Sequence, residues 1–94
     1  MKKNGFYNNN QKISELNNDI LTFFYKSGAK KAEGKCIDEK FEGKWLFYSE
    51  DWKIIQKGNS RNNEKNGEWK RYNKNGELEF HEKFIEGKKV KKWI

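Results

Sequence analysis

The chain repeats itself every 24 residues without a gap: Trp45, Trp69 and Trp93 mark the period, and one step back falls on Leu21. In this register Lys44-Trp45-Leu46-Phe47-Tyr48 lies over Glu68-Trp69-Lys70-Arg71-Tyr72, and Gly43 lies over Gly67. Phe24, Tyr48 and Tyr72 form a second aligned column; Gly28 and Gly76 share a third, which Trp52 interrupts. A period between about 20 and 50 residues is the signature of a repeat architecture, in which each unit buries its apolar face only against its neighbours. Proteins built this way work by presenting a surface rather than a pocket.

The best-formed unit begins at Trp69. Asn75-Gly76 is a strong hairpin signal, because a type I′ turn needs positive φ at both central residues. Leu78, Phe80 and Phe84 then alternate with Glu77, Glu79 and Lys83, the period-2 pattern of a half-buried strand. Glu86-Gly87 supplies the next turn. Shifting by the period places turns at Asp51-Trp52 and Asn62-Asn63, and again at Ser27-Gly28 and Asp38-Glu39, so that a turn recurs every 11 to 13 residues. Asn63 tolerates the left-handed region as Gly87 does, whereas Glu39 is a poorer substitute. Strands of about nine residues fill the intervals, and no Pro interrupts them.

The expected fold is all-β: an elongated antiparallel meander of about three hairpin repeats, 21–44, 45–68 and 69–92, with 93–94 as a terminal strand end. Residues 6–15 resemble residues 24–33 at an offset of 18, which makes 1–20 a degenerate, shortened cap. Ile13 to Leu21 also reads as a short helix capped by Ser14. Lysines in 88–94 guard the last edge against pairing with another sheet.

Composition supports order with a thin core. Only 33% of residues are hydrophobic and 37% are charged, which leans toward disorder, but 16% are aromatic and they fall in register. Each ring buries roughly 150–250 Å², so a few aligned rings replace many aliphatics. The 94 residues make one domain. The single Cys36 excludes an internal disulfide and fits a reducing compartment. Met1-Lys2-Lys3 is followed by no apolar segment, and no run approaches the ~20 apolar residues of a spanning helix. The expected location is the cytoplasm. A net charge of +7 permits an acidic protein, an anionic lipid surface or nucleic acid as partner.

A short aromatic segment, then Asn-Gly, then a strand ending near a second Gly, then Gly-x-Trp-x-x-Tyr, resembles the bacterial variant of the MORN repeat. The residues that carry the resemblance are Gly43-Lys44-Trp45-Leu46-Phe47-Tyr48 and Gly67 through Gly76, and it covers about three repeats from Leu21 to Ile94. It implies an elongated, twisted antiparallel sheet of successive hairpins and an interaction or scaffold role. Small bacterial members are described as antitoxin- or immunity-like partners of toxins, and some members as touching membranes. The chain departs from the pattern at Glu39, Trp52 and Lys91, each where the repeat prefers Gly.

Catalytic and metal chemistry find little support. One His and one Cys do not supply the three or four ligands of a zinc site. Cys36 aligns with Phe84 and is expected to be a buried, inert thiol, and no phosphate loop or nucleophile elbow is present. The expectation is no enzyme activity, no cofactor and no metal. Trp and Tyr three apart on a strand point to opposite faces unless a bulge at Gly43 or Gly67 re-aims them, so one column should be core and the other partly exposed. Trp52, a large ring at a turn, is the residue core packing explains least. Tyr48, Lys53, Tyr72 and Arg71 complete the candidate contact set for a protein partner. Anionic lipid is the alternative. A single-stranded nucleic-acid platform is disfavoured, because glutamates such as Glu68 and Glu82 break up the basic track.

Overall fold

The computed structural model describes residues 5–90. Among them there is no helix. The strands are β1 (Ser14–Asn17), β2 (Ile20–Phe24), β3 (Lys30–Ile37), β4 (Lys40–Tyr48), β5 (Ile54–Arg61), β6 (Glu64–Tyr72), β7 (Leu78–Ile85) and β8 (Lys88–Lys89). They pair in chain order as one antiparallel sheet, with overall extents of 45 × 34 × 23 Å. Residues 13–21 are therefore strand and turn, not helix. Asn18 and Asp19 sit at φ of 52° and 69°, which closes a tight hairpin where a helix would need negative φ. Trp93 and Lys91 lie outside the described residues.

Turns of two kinds alternate. At one end of the strands, Asn18-Asp19, Asp38-Glu39, Asn62-Asn63 and Glu86-Gly87 carry positive φ at both positions, as type I′ hairpins require. At the other end the left-handed residue is single: Asn10, Gly28, Trp52 and Gly76 sit at φ of 69°, 96°, 70° and 83°. Asn75-Gly76 is thus not the type I′ turn its sequence suggests. Asn73 Oδ1 accepts from the Asn75 and Glu77 amides at 2.9 and 3.0 Å. That cap favours a right-handed turn in which only the last residue turns left.

The pleat sorts the side chains onto two faces. On one, a cross-strand row reads Leu16, Leu21, Gly34, Trp45, Gly58, Trp69, Glu82, and beside it runs Ser14, Phe23, Ala32, Phe47, Gln56, Arg71, Phe80. The core lies here. Trp45 is only 1% exposed, with Phe41 stacked on it at 4.2 Å and Phe23 and Phe47 at 6.3 Å each. Beneath the rings β3 supplies only small residues, Ala32, Gly34 and Cys36, all buried. The free Cys36 thiol is buried as expected.

The Trp rings do not stack on one another as the aligned column suggests. A strand separates them, and each ring lies over the glycine of the strand before it: Trp45 over Gly34, Trp69 over Gly58. Each indole N–H then donates one residue further on, Trp45 Nε1 to the Lys35 carbonyl at 3.1 Å and Trp69 Nε1 to that of Asn59 at 2.6 Å. The pairing shifts between Gly34 and Lys35 and between Gly58 and Ser60 bring each Trp to its glycine, with Gly43 and Gly67 opposite them at φ of 68° and 89°.

On the other face a row reads Thr22, Glu33, Leu46, Lys57, Lys70, His81. Half-buried Glu33 accepts from Lys30 at 2.9 Å and from Thr22 at 2.8 Å. Burial pushes its carboxyl up, but these two bonds and the Lys30 charge outweigh burial and hold it below its ordinary 4.5. A carboxylate depressed by folding stabilises the fold above its unfolded pKa and loses that contribution as pH falls through the folded value. Between about pH 5 and 3 the melting temperature of the parent chain should therefore fall more steeply than that of Glu33→Gln. Parallel curves would mean the Lys30 and Thr22 bonds add nothing to stability.

Candidate interaction surface

The loops before β1, β3, β5 and β7 lie side by side at one end of the sheet and are laced together. Asn9 Nδ2 donates to the Lys26 carbonyl at 2.9 Å, the Tyr25 hydroxyl to the Tyr48 carbonyl at 2.6 Å, and Lys53 Nζ to the Lys74 carbonyl at 3.3 Å. This makes a hydrogen-bonded rim of turns, and Trp52 stands on it. Its backbone is held in place, since its amide donates to the Ser49 carbonyl at 3.0 Å, yet the residue is 58% exposed.

The other sequence candidates divide. Lys53 is engaged with Lys74 and lies 3.8 Å from Asp51, whose carboxyl the Ser49 hydroxyl holds below its ordinary range. Tyr48 and Tyr72 are half-buried, and lysine ammoniums cover their rings, Lys30 at 5.7 Å and Lys57 at 5.9 Å. Trp45 and Trp69 are core and Tyr48 and Tyr72 partly open, but the open rings are shaded by lysines. Part of the basic charge is thus structural: Lys30, Lys31, Lys57 and Lys65 lie over aromatic rings.

Arg71, the remaining sequence candidate, lies in β6 rather than in the turn that carries Trp52. It sits in the core-face row, between Gln56 and Phe80, and lines a shallow trough with Gln56, Lys65, Trp69, Phe80 and Glu82. Phe80 is 54% exposed. Lys65 Nζ lies 5.0 Å from the Trp69 ring and 4.8 Å from that of Phe84. Glu82 accepts from Lys89 at 2.8 Å, and that bond holds its carboxyl below the ordinary range. Lys65 and Phe80 were absent from the sequence-derived set, although the period marks Lys65, which stands one repeat after Phe41 as Arg71 does after Phe47.

On the opposite face Lys44, Lys57 and Lys70 border a second depression. Lys57 and Lys70 are directly opposed across β5 and β6, an arrangement that like charges disfavour. Glu68, the carboxylate of that depression, is 3.3 Å from His81.

No protein-family model, curated protein or solved structure matches the chain. Its repeat resemblance therefore rests on the aligned motifs alone. No helix among the described residues is long and apolar enough to cross a membrane.

Proposed function

We propose that the chain is a non-enzymatic protein-interaction module, a MORN-variant repeat protein of the cytoplasm that docks a protein partner on the rim of turns carrying Trp52. The observation that carries this reading is Trp52 itself. At φ of 70° it occupies the left-handed position that Gly28 and Gly76 fill in the neighbouring loops. Such a conformation costs a side-chain-bearing residue on the order of 1–2 kcal/mol. An indole that remains 58% exposed gives little packing in return. Large aromatic rings at the centre of a contact are the commonest hot spots, so binding is where the cost is recovered. An antitoxin- or immunity-like role is the more specific form implied by the family resemblance. At +7 the chain suits an acidic partner rather than a basic nuclease.

Trp52→Gly is expected to raise stability by about 1 kcal/mol through relief of the strained turn, and to weaken partner binding by ~1–2 kcal/mol or more. A photo-crosslinking residue at position 50 in cells should give one discrete protein adduct that Trp52→Gly removes. If the variant melts lower, the ring is packing on the sheet and the assignment fails. A second reading, peripheral binding to anionic membrane, is favoured by Lys44, Lys57 and Lys70, none of which has a carboxylate at ion-pair distance among the described residues. Each basic residue near a membrane surface is worth about 1 kcal/mol. Co-sedimentation with phosphatidylserine vesicles at physiological salt, combined with no protein adduct, would favour it.

A further inference from the structure

The second repeat keeps the backbone of the first but changes what surrounds its tryptophan. Around Trp45 the cover is Phe41 and Phe47 over a floor of Ala32, Gly34 and Cys36. One period on, around Trp69, the same places hold Lys65 and Arg71 over Gln56, Gly58 and Ser60. The scaffold is otherwise the same: the ring over glycine, the indole bond to the next carbonyl and the pairing shift all recur. Aromatic cover fits this frame in the first repeat, so the fold does not require cations in the second.

We propose that the trough around Arg71 and Lys65 receives an acidic side chain flanked by an apolar residue on a partner protein, a proposal that rests on the interaction-module reading. Arg71 has no carboxylate partner among the described residues. Its cross-strand neighbours are the Gln56 amide and the exposed Phe80 ring. A guanidinium set beside apolar surface binds carboxylate in a fork of charge-assisted hydrogen bonds, while Phe80 and the rim of Trp69 offer contact to the flanking apolar group. Lys65, laid over Trp69 and Phe84, adds a second cation. Glu82 is bonded by Lys89 at 2.8 Å and also feels the Lys65 charge, which leaves Arg71 as the cation of the trough without a carboxylate among the described residues. The trough lies open on the sheet face, whereas small-molecule pockets bury most of their ligand. A protein segment fits it better.

The test uses the whole chain and three labelled peptides at physiological ionic strength: Glu alternating with Phe, Gln alternating with Phe, and Glu alternating with Ala. The first should bind at least about tenfold more tightly than the second, the ratio expected of one charge-assisted pair, and more tightly than the third. Arg71→Gln should abolish the preference for Glu. Arg71→Phe, which restores the first repeat's residue, should abolish it too while the melting temperature rises. Lys26→Gln with Lys40→Gln removes more charge elsewhere and should leave the preference intact. Equal affinity for the Glu and Gln peptides, retention by Arg71→Phe, or an equal loss in the Lys26/Lys40 variant overturns the proposal. In each of those cases a protein adduct at position 50 shows that the interaction reading survives; its absence as well shows that both have failed.

Discussion

Trp45→Ala should leave the protein largely unfolded at 37 °C. Trp45 is 1% exposed and is the one large side chain buried completely among the described residues. Its ring touches Phe23, Phe41 and Phe47 and caps the small residues of β3. Deleting a buried ring of this size costs roughly 3–5 kcal/mol, against a total near the low end of about 5–15 kcal/mol for a domain with so thin a core. At about 4–8 °C per kcal/mol for a domain of up to ~100 residues, the melting temperature should fall by well over 10 °C. Trp69→Ala should cost less. Phe47 still packs against the Trp69 ring at 6.1 Å, but a lysine and an arginine, whose charged ends stay in water whether or not the ring is present, stand where Trp45 has Phe41 and Phe47, and Trp69 is already 6% exposed. Equal losses would show that the aromatic cover around Trp45 adds nothing beyond the ring's own burial.

The sequence was legible wherever a signal is local, and opaque wherever it depends on pairing. The paired turns at Asp38-Glu39, Asn62-Asn63 and Glu86-Gly87, and the loops ending at Gly28, Trp52 and Gly76, stand where the period put them, because positive φ selects residue types at single positions. Asn75-Gly76 was misjudged in kind, since the cap from Asn73 outweighs the dipeptide's own preference. The Trp–Gly contacts were missed for a different reason. Carrying the hairpin pairing straight on from Ile37↔Lys40 sets Trp45 opposite Ala32, and only the irregularity beside Gly43 moves it to Gly34. Nothing in a periodicity of 2 announces where a strand will slip. The same slip one repeat on shaped the candidate trough: it set Trp69 opposite Gly58 rather than Gln56, and so left Gln56 beside Arg71. Trp52 was legible as an exception to a column of glycines, which needs no pairing.

Gly58→Ala should be nearly as damaging as loss of the indole it faces, and it isolates that contact. Neither Gly34 nor Gly58 has positive φ, so glycine is not needed there for backbone conformation. Space is the reason. A Cβ at Gly58 would stand 2.0 Å from Trp69 Cδ2 and 2.3 Å from Cε2, and one at Gly34 would stand 2.2 Å from Trp45 Cδ2. The ring cannot yield in place, because its N–H is tied to the Asn59 carbonyl at 2.6 Å. It must tilt out, breaking that bond and losing its burial. Overpacking of this kind costs typically 1–3 kcal/mol, set against about 0.4–1 kcal/mol returned by the stiffer unfolded chain. We expect a net loss of about 2 kcal/mol by thermal or urea denaturation. Gly43→Ala makes the contrast, since a Cβ there meets nothing within 4 Å and suffers only from its φ of 68°. The decisive measurement is the double-mutant cycle. In a Trp69→Ala background the added methyl has room, so Gly58→Ala should become neutral or slightly stabilising. A loss of the same size in both backgrounds would place the strain in the β5 backbone and refute the ring-over-glycine contact as its cause.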